Sequence, residues 1–118
     1  MPVRVANIRK LHRVDGETRV YVGRACNGYQ ASPLANPFRS KDLPGGKTEA
    51  ISMYRVWLRA QLLDSSTEAT REVLRLAEMA SRGEHVVLMC WCHPAECHGD
   101  VLVDVINRVS SRMVQGAR

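Results

Sequence analysis

The chain has 118 residues and a mass of 13.2 kDa, which is enough for one domain with a buried core and too little for two. Its hydrophobic fraction of 45% and charged fraction of 25% exclude a disordered or fibrous chain. The net charge of +5 favours anionic ligands, but the basic residues are scattered, so charge alone does not indicate specific nucleic-acid binding. We therefore expect a single domain over residues 1–118.

The N-terminal residues contain no apolar run of signal-peptide length, and no stretch approaches the roughly 20 apolar residues that cross a bilayer. Three of the four cysteines, Cys90, Cys92 and Cys97, lie close together, whereas a disulfide scaffold would spread them along the chain. We therefore expect reduced thiols, a cytoplasmic protein and no membrane partner.

The first predicted elements are two strands followed by a long loop. Val3–Asn7 and Thr18–Val22 have alternating β-branched residues, and the segment 14–17 between them is typical of a turn. The short connection makes a hairpin one way of pairing these strands. Repeated Gly and Pro predict a long loop over residues 23–47, and a loop of that length in a compact domain is usually functional.

Three helices and one further strand follow in the sequence. Thr48–Leu63 has the period of an amphipathic helix, and Ser65–Glu68 fits a capping box that begins a second helix, with Gly83 as its stop. The apolar run His85–Cys90 predicts a strand buried on both faces. The helical period returns from His98 to about Arg112, which predicts the third helix.

This order of elements predicts the α/β class: a small Rossmann-like three-layer domain with a short, mostly parallel sheet and about three helices. If the second and third strands run parallel, the loops that follow Val22 and Cys90 emerge at the same edge of the sheet. Open α/β sheets bind ligands there, and nearby helix N-termini favour phosphate or carboxylate. The site is therefore expected where residues 24–37 meet residues 90–98.

The segment 90–98 concentrates thiol and imidazole groups in the turn between a buried strand and a helix. One interpretation is a zinc site with Cys92, Cys97 and His98 as ligands and Cys90, Cys26 or His93 as the fourth, since thiolate and imidazole suit Zn²⁺. A second is nucleophilic catalysis by Cys97 beside His98, because a helix N-terminus and an imidazole both stabilise a thiolate. A third takes Cys90 as a buried apolar residue within a structural turn. The residues leave these alternatives open.

The long loop supplies the candidate ligand-binding residues. Arg24 lies just beyond a strand end and can bind phosphate or carboxylate through two donors, and Asn36 offers both a donor and an acceptor. The order Pro44-Gly-Gly-Lys-Thr-Glu49 lacks the Walker spacing and is similar to the nucleotide-binding loop of lysine-decarboxylase-like phosphoribohydrolases. The Ser-Pro and Asn-Pro pairs of this loop are also ordinary turn starters. The predicted ligand-binding set is Arg24, Ser32, Asn36, Arg39 and Lys47.

Several strings of the sequence resemble the uncharacterised bacterial and bacteriophage family called domain of unknown function 4326. They are Val22-Gly-Arg24, Ser32-Pro-Leu-Ala-Asn-Pro-Phe38, Ile51-x-x-Tyr54-x-x-Trp57-Leu58 and Leu88-x-Cys-Trp-Cys-x-Pro-x-x-Cys-His-Gly-Asp-Val-Leu102. The resemblance spans nearly the whole chain. Members often have an arginine near the start of the first helix, where this chain has Lys47. The resemblance implies a role for the matched positions Arg24, Asn36, Pro37, Phe38, Cys90, Cys92, Pro94, Cys97, His98 and Gly99.

Three functions of different classes follow as expectations. The first is a nucleotide- or nucleoside-binding domain, with action on a glycosidic or phosphate bond as its enzymatic extension. The second is a zinc-stabilised module that binds a protein or nucleic acid without catalysis. The third is a small phage-type inhibitor of a host protein. The expected partners are accordingly a nucleotide-like or phosphorylated small molecule, a nucleic acid or a host protein, and whether a reaction occurs is left open.

Overall fold

The computed structural model describes residues 3–10, 15–91 and 97–116. Its elements, in chain order, are β1 (Val3–Asn7), β2 (Glu17–Tyr21), a short 3-10 helix (Ser40–Asp42), α1 (Gly46–Leu62), α2 (Glu68–Ser81), β3 (His85–Cys90) and α3 (His98–Gly116). The predicted α/β class, with a small sheet and three α-helices, is confirmed. Within the described ranges, none of the helices combines the length and the apolar character that a membrane span requires.

The sheet has β3 in its centre, with β1 on one side and β2 on the other, and both outer strands run parallel to β3. The register places Val5 of β1 and Val20 of β2 beside Leu88 of β3. A strand that is apolar along its whole length suits this central position, and Val86–Cys90 is buried throughout. The expected parallel pairing of β2 with β3 is confirmed. The predicted hairpin between the first two strands is wrong, because β3 separates them.

The three α-helices cover the sheet face that carries Val86, Leu88 and Cys90. Each helix contacts the other two, so within the described residues the helices form a single layer. Together with the sheet this makes two layers, where the sequence predicts three. Their buried residues and this sheet face share one apolar cluster, whose helical members are Ile51, Tyr54, Leu58, Ala69, Val73, Leu76, Ala77, Ala80, Val101, Leu102 and Ile106. This common core fixes the starts of α1 and α3 relative to the ends of β2 and β3.

The N-cap of helix α2 lies two residues after Ser65, the first residue of the predicted capping box. The helix ends just before Gly83, as the sequence predicts. Thr67 is its N-cap, and the Thr67 hydroxyl accepts a hydrogen bond of 3.1 Å from the Thr70 amide. Gly83 follows the helix with a φ of 84°, a left-handed conformation that glycine adopts without strain. The Gly83 amide donates to the Ala80 carbonyl at 2.9 Å, which closes the last turn.

Helix α3 crosses β1 at very short range, and Gly99 is the residue that allows this approach. Gly99 is buried, and a Cβ atom built on it would lie 2.7 Å from Cγ2 of Val5 and 3.2 Å from Sγ of Cys97. A side chain at this position would therefore push α3 away from the sheet, because neither contact partner lies at the end of a long flexible chain.

We expect Gly99→Ala to lower the free energy of unfolding by about 1–3 kcal/mol, the usual cost of overpacking a well-packed core. Alanine would otherwise favour the helix by about 1 kcal/mol, so the clash must outweigh that gain. Gly116→Ala in the same helix is the matched control, since a Cβ atom there would have no neighbour within 4 Å, and it should be neutral or slightly stabilising. Urea unfolding of the two variants measures the difference, and equal stability would contradict the close approach.

Candidate functional site

A cavity of about 400 Å³ opens at the carboxyl ends of β2 and β3. The two stretches that were expected to meet, 24–37 and 90–98, both contribute to it. The lining residues come from the strand ends, the loop after β2, the first turns of α1 and the start of α3: Tyr21, Gly23, Arg24, Ala25, Cys26, Asn36, Phe38, Ser40, Lys47, Ala50, Ile51, Cys90, Trp91, Cys97 and His98. The parallel pairing thus places a cavity where the topology predicts one.

Five of the predicted site residues line this cavity together: Arg24, Asn36, Lys47, Cys97 and His98. Ser32 does not belong to the lining, and it shapes the loop instead. Its hydroxyl accepts from the Leu34 amide at 3.0 Å, and its amide donates to the Gly23 carbonyl at 3.0 Å. Arg39 also lies outside the lining, with an exposed side chain, directly before the short 3-10 helix.

Arg24 and Asn36 both hold the loop that forms one cavity wall. The Arg24 guanidinium donates through Nε to the Asn36 carbonyl at 2.9 Å and through Nη2 to the Phe38 carbonyl at 2.7 Å. The Asn36 side chain accepts from the Phe38 amide at 2.9 Å and donates to the Ala50 carbonyl at 3.3 Å. These bonds use two of the five N–H donors of the arginine, so it can hold the wall and still offer donors to a ligand.

Tyr54 anchors the same loop from the helical side. Its hydroxyl donates to the Leu34 carbonyl at 2.6 Å, and both residues are fully buried. Burial raises the pKa of the Tyr54 hydroxyl well above its ordinary value, so this group stays a donor. The Tyr54 ring stacks on Trp57, with centroids 5.5 Å apart, and meets the His98 ring edge-on at 5.1 Å. The cavity wall is therefore tied to the core.

His98 joins the start of α3 to the end of β2. Its Nε2 lies 2.6 Å from the Val22 carbonyl oxygen, and because a carbonyl can only accept, Nε2 must carry the proton. Burial lowers the pKa of His98, which keeps the imidazole neutral near pH 7. The ring is thus a fixed donor to the residue that follows β2, and Nδ1 is left as its acceptor.

Cys97 is a buried thiol paired with another buried thiol. Its Sγ lies 3.6 Å from Sγ of Cys90, and this hydrogen bond together with burial raises the pKa of Cys97 above its ordinary value. The neighbouring His98 ring uses its Nε2 for the bond to the Val22 carbonyl. A thiolate is not favoured here at neutral pH, and the catalytic roles of Cys97 and His98 stay predictions.

The zinc site predicted from Cys92, Cys97 and His98 includes a residue, Cys92, that lies outside the described residues. Within the part of the chain that the structure describes, no group of three or more His, Cys, Asp or Glu side chains is placed to hold a metal ion. The amide of Cys97 donates to Asp100 at 3.3 Å, so this carboxylate serves the start of α3. The zinc set therefore stays a prediction.

The aromatic side of the cavity consists of Tyr21, Phe38 and Trp91. The family resemblance had already singled out Phe38, whereas sequence reasoning missed Tyr21 and Trp91 as site residues. Trp91 donates through Nε1 to the Tyr21 hydroxyl at 2.9 Å, and this hydroxyl donates to the Arg24 carbonyl at 2.6 Å. Tyr21 ends β2 and Trp91 follows β3 directly. Their positions at two strand ends that meet at one sheet edge were the signal that could have found them.

The described lining residues carry a net positive charge. Arg24 and Lys47 are cationic, and no aspartate or glutamate occurs among the lining residues that the structure describes. A cavity of this composition attracts an anion, because no opposite charge within its described wall compensates the two cations.

The fold and the site define a small α/β protein with a cationic and aromatic cavity at the carboxyl edge of a parallel sheet. A family model described as Domain of unknown function (DUF4326) matches residues 6–108, and the chain belongs to this family. No curated protein and no solved structure matched the chain. The family resemblance expected from the motifs is confirmed, and the bacterial or bacteriophage setting stays a prediction.

We expect Arg24→Ala to loosen the loop 32–38, because it removes both guanidinium bonds to the Asn36 and Phe38 carbonyls. Limited proteolysis should cut this loop faster, with a stability loss of about 1–3 kcal/mol for the two charge-assisted bonds. Arg39→Ala is the matched control, since its exposed side chain lies outside the cavity. The same cleavage rate in both variants would contradict the role given to Arg24.

Acid should destabilise the protein through His98. Burial lowers the folded-state pKa of His98 below the value of about 6.5 that an unfolded chain retains, so the unfolded state binds the proton first. Stability from this group is fully present above about pH 6.5 and is lost as the pH falls through the folded-state pKa.

Urea unfolding at about pH 7.5 and about pH 5.5 tests this expectation. His98→Gln keeps an N–H donor without titrating, so its stability should fall less between these two pH values than that of the unchanged protein. His85→Gln alters an exposed histidine and should retain the pH dependence. An identical loss of stability between the two pH values in all three proteins would show that His98 does not titrate as described.

Proposed function

We propose that the chain binds a nucleotide or nucleoside in the cavity at the carboxyl ends of β2 and β3. The observation that carries the proposal is the pairing of aromatic rings with cations in one lining. Tyr21, Phe38 and Trp91 offer rings on which a base can stack, and Arg24 and Lys47 offer donors for phosphate. A nucleotide needs both kinds of group, because its base stacks on aromatic rings and its phosphate binds cationic donors.

The position and size of the cavity support the same ligand class. Open α/β sheets bind ligands outside the carboxyl ends of their strands, where this cavity lies. Its volume of about 400 Å³ is in the lower part of the range of about 300–1,000 Å³ for small-molecule sites. That volume favours a single nucleotide or nucleoside over a dinucleotide cofactor.

The wall of the cavity is already ordered by bonds within the protein, which supports binding of a ligand without a large rearrangement. Arg24 and Asn36 hold the loop 32–38 through backbone groups, and Tyr54 ties it to the core at Leu34. A preorganised wall lowers the conformational entropy that a ligand must offset on binding.

The enzymatic extension, cleavage of a glycosidic or phosphate bond, has less support than binding. Such reactions need a general acid or base, and no described lining residue carries a carboxylate. Cys97 is held as a thiol and His98 as a neutral imidazole bonded to Val22.

Chromatography of nucleotides after incubation with the protein checks for reaction products. Metal analysis of the same sample checks the zinc prediction.

A thermal-shift panel of nucleosides and of nucleoside mono-, di- and triphosphates tests the binding proposal. A ligand present at about 100 times its Kd should add about 2.7 kcal/mol to the free energy of unfolding, since it binds only the folded chain. At least one member of the panel should raise Tm in a concentration-dependent way. A panel in which no compound changes Tm would overturn the proposal.

We expect Lys47→Met to weaken binding of a phosphorylated ligand by about tenfold or more, because a hydrogen bond to a charged group contributes about 1.5–3 kcal/mol. The unphosphorylated nucleoside should lose little. Lys41→Met is the matched control, because Lys41 is an exposed lysine of the 3-10 helix that does not line the cavity. Calorimetric titration compares the two variants, and equal affinities would contradict a phosphate position near Lys47.

A further inference from the structure

An edge patch of aromatic and basic side chains continues the cavity wall toward the surface. It consists of Arg9, Tyr21, Tyr29 and Trp91. Tyr21 and Trp91 also line the cavity, whereas Tyr29 and Arg9 lie outside the lining. The Tyr21 and Trp91 rings therefore line the proposed nucleotide site and also contact residues outside it.

The members of the edge patch contact one another through their rings. Tyr29 lies 4.7 Å from Tyr21 between centroids, at an interplanar angle of 31°, and 6.3 Å from Trp91 at 78°. The guanidinium carbon of Arg9 is 5.3 Å from the Trp91 ring centroid, within the range of a cation–π contact. Tyr29 is 38% exposed, so it presents aromatic surface to an external ligand.

Backbone and side-chain hydrogen bonds keep the edge patch in place. Cys26 and Tyr29 exchange two backbone bonds of 2.9 and 3.1 Å across the tight turn of Asn27 and Gly28, whose φ values are 47° and 88°. The pair Asn-Gly favours such a turn, since both central residues take a positive φ. On the other side, Asn7 accepts from the Arg9 amide at 2.8 Å and donates to the Trp91 carbonyl at 3.1 Å.

We propose that the edge patch binds single-stranded nucleic acid, one nucleotide of which occupies the cavity. This inference rests on the proposed function and extends it from a free nucleotide to a nucleotide within a strand. Neighbouring bases would stack on Tyr29, and the backbone phosphates would contact Arg9 and the exposed Lys10 beside it. The net charge of +5 attracts a polyanion, and the continuity of the rings with the cavity favours a strand over an acidic protein.

Fluorescence anisotropy with labelled single-stranded 12-mers of DNA and of RNA, of mixed sequence, tests this inference beside calorimetry with the mononucleotides. A 12-mer should bind at least tenfold more tightly than any mononucleotide, and the DNA and RNA arms show which backbone is preferred. Tyr29→Ala should reduce 12-mer affinity roughly 5- to 150-fold, the range for one lost base stack. Tyr29→Phe keeps the ring and should bind like the unchanged protein.

Two further variants separate a local effect from a general one. Arg9→Gln should lower the slope of log K against log salt by about one unit, as expected for one lost phosphate contact. Leu63→Ala changes an exposed residue at the far end of α1, outside the edge patch, and should bind normally. Tm values of all variants confirm that each chain is folded.

The results of these measurements distinguish this inference from the proposed function. If mononucleotides bind as tightly as the 12-mers, or if Tyr29→Ala binds 12-mers like Tyr29→Phe, the edge patch does not bind a strand and the nucleotide site stands alone. If no mononucleotide and no 12-mer binds, both the proposed function and this inference are overturned. Tighter binding of the 12-mers, with the losses given above, supports both.

Discussion

The parallel pairing of β2 with β3 is the constraint on which the site depends. It extends one residue beyond β2, where the Val22 amide donates to the Met89 carbonyl at 3.1 Å. Because the strands point the same way, residues far apart in the sequence leave the sheet at one edge. His98 then closes the gap through its bond to the Val22 carbonyl, which attaches α3 to the neighbouring strand. An antiparallel arrangement would place Arg24 and His98 at opposite ends of the sheet.

A chain of hydrogen bonds crosses this edge from one outer strand to the other. The Asn7 side chain of β1 reaches the Trp91 carbonyl, the Trp91 indole reaches the Tyr21 hydroxyl, and that hydroxyl reaches the Arg24 carbonyl. Arg24 extends the chain to the loop 32–38. Linked bonds of this kind restrict each member through its neighbours, so the cavity and the edge patch share one ordered support.

Local sequence patterns predict much of this fold, because each depends on one segment alone. The bounds Val3–Asn7 and His85–Cys90 match the predicted strands, and Gly83 marks the end of α2 as its left-handed conformation requires. Strand partners depend on distant residues, which is why the short connection between β1 and β2 suggested a hairpin that β3 in fact prevents. The site shows the same limit: Arg24 was predicted from its charge, but its backbone carbonyl partners could not be read from spacing.

The late position of β3 in the sequence has a consequence for how the molecule is made. Among the residues that the structure describes, β1 and β2 both pair with residues 85–90, so neither can form this pairing while a growing polypeptide ends before that point. Pairings this distant in sequence slow folding, since a long stretch must be closed before any contact forms. On the ribosome, the outer strands would remain without β3 until the central strand is synthesised. The sheet should therefore form in one late cooperative event.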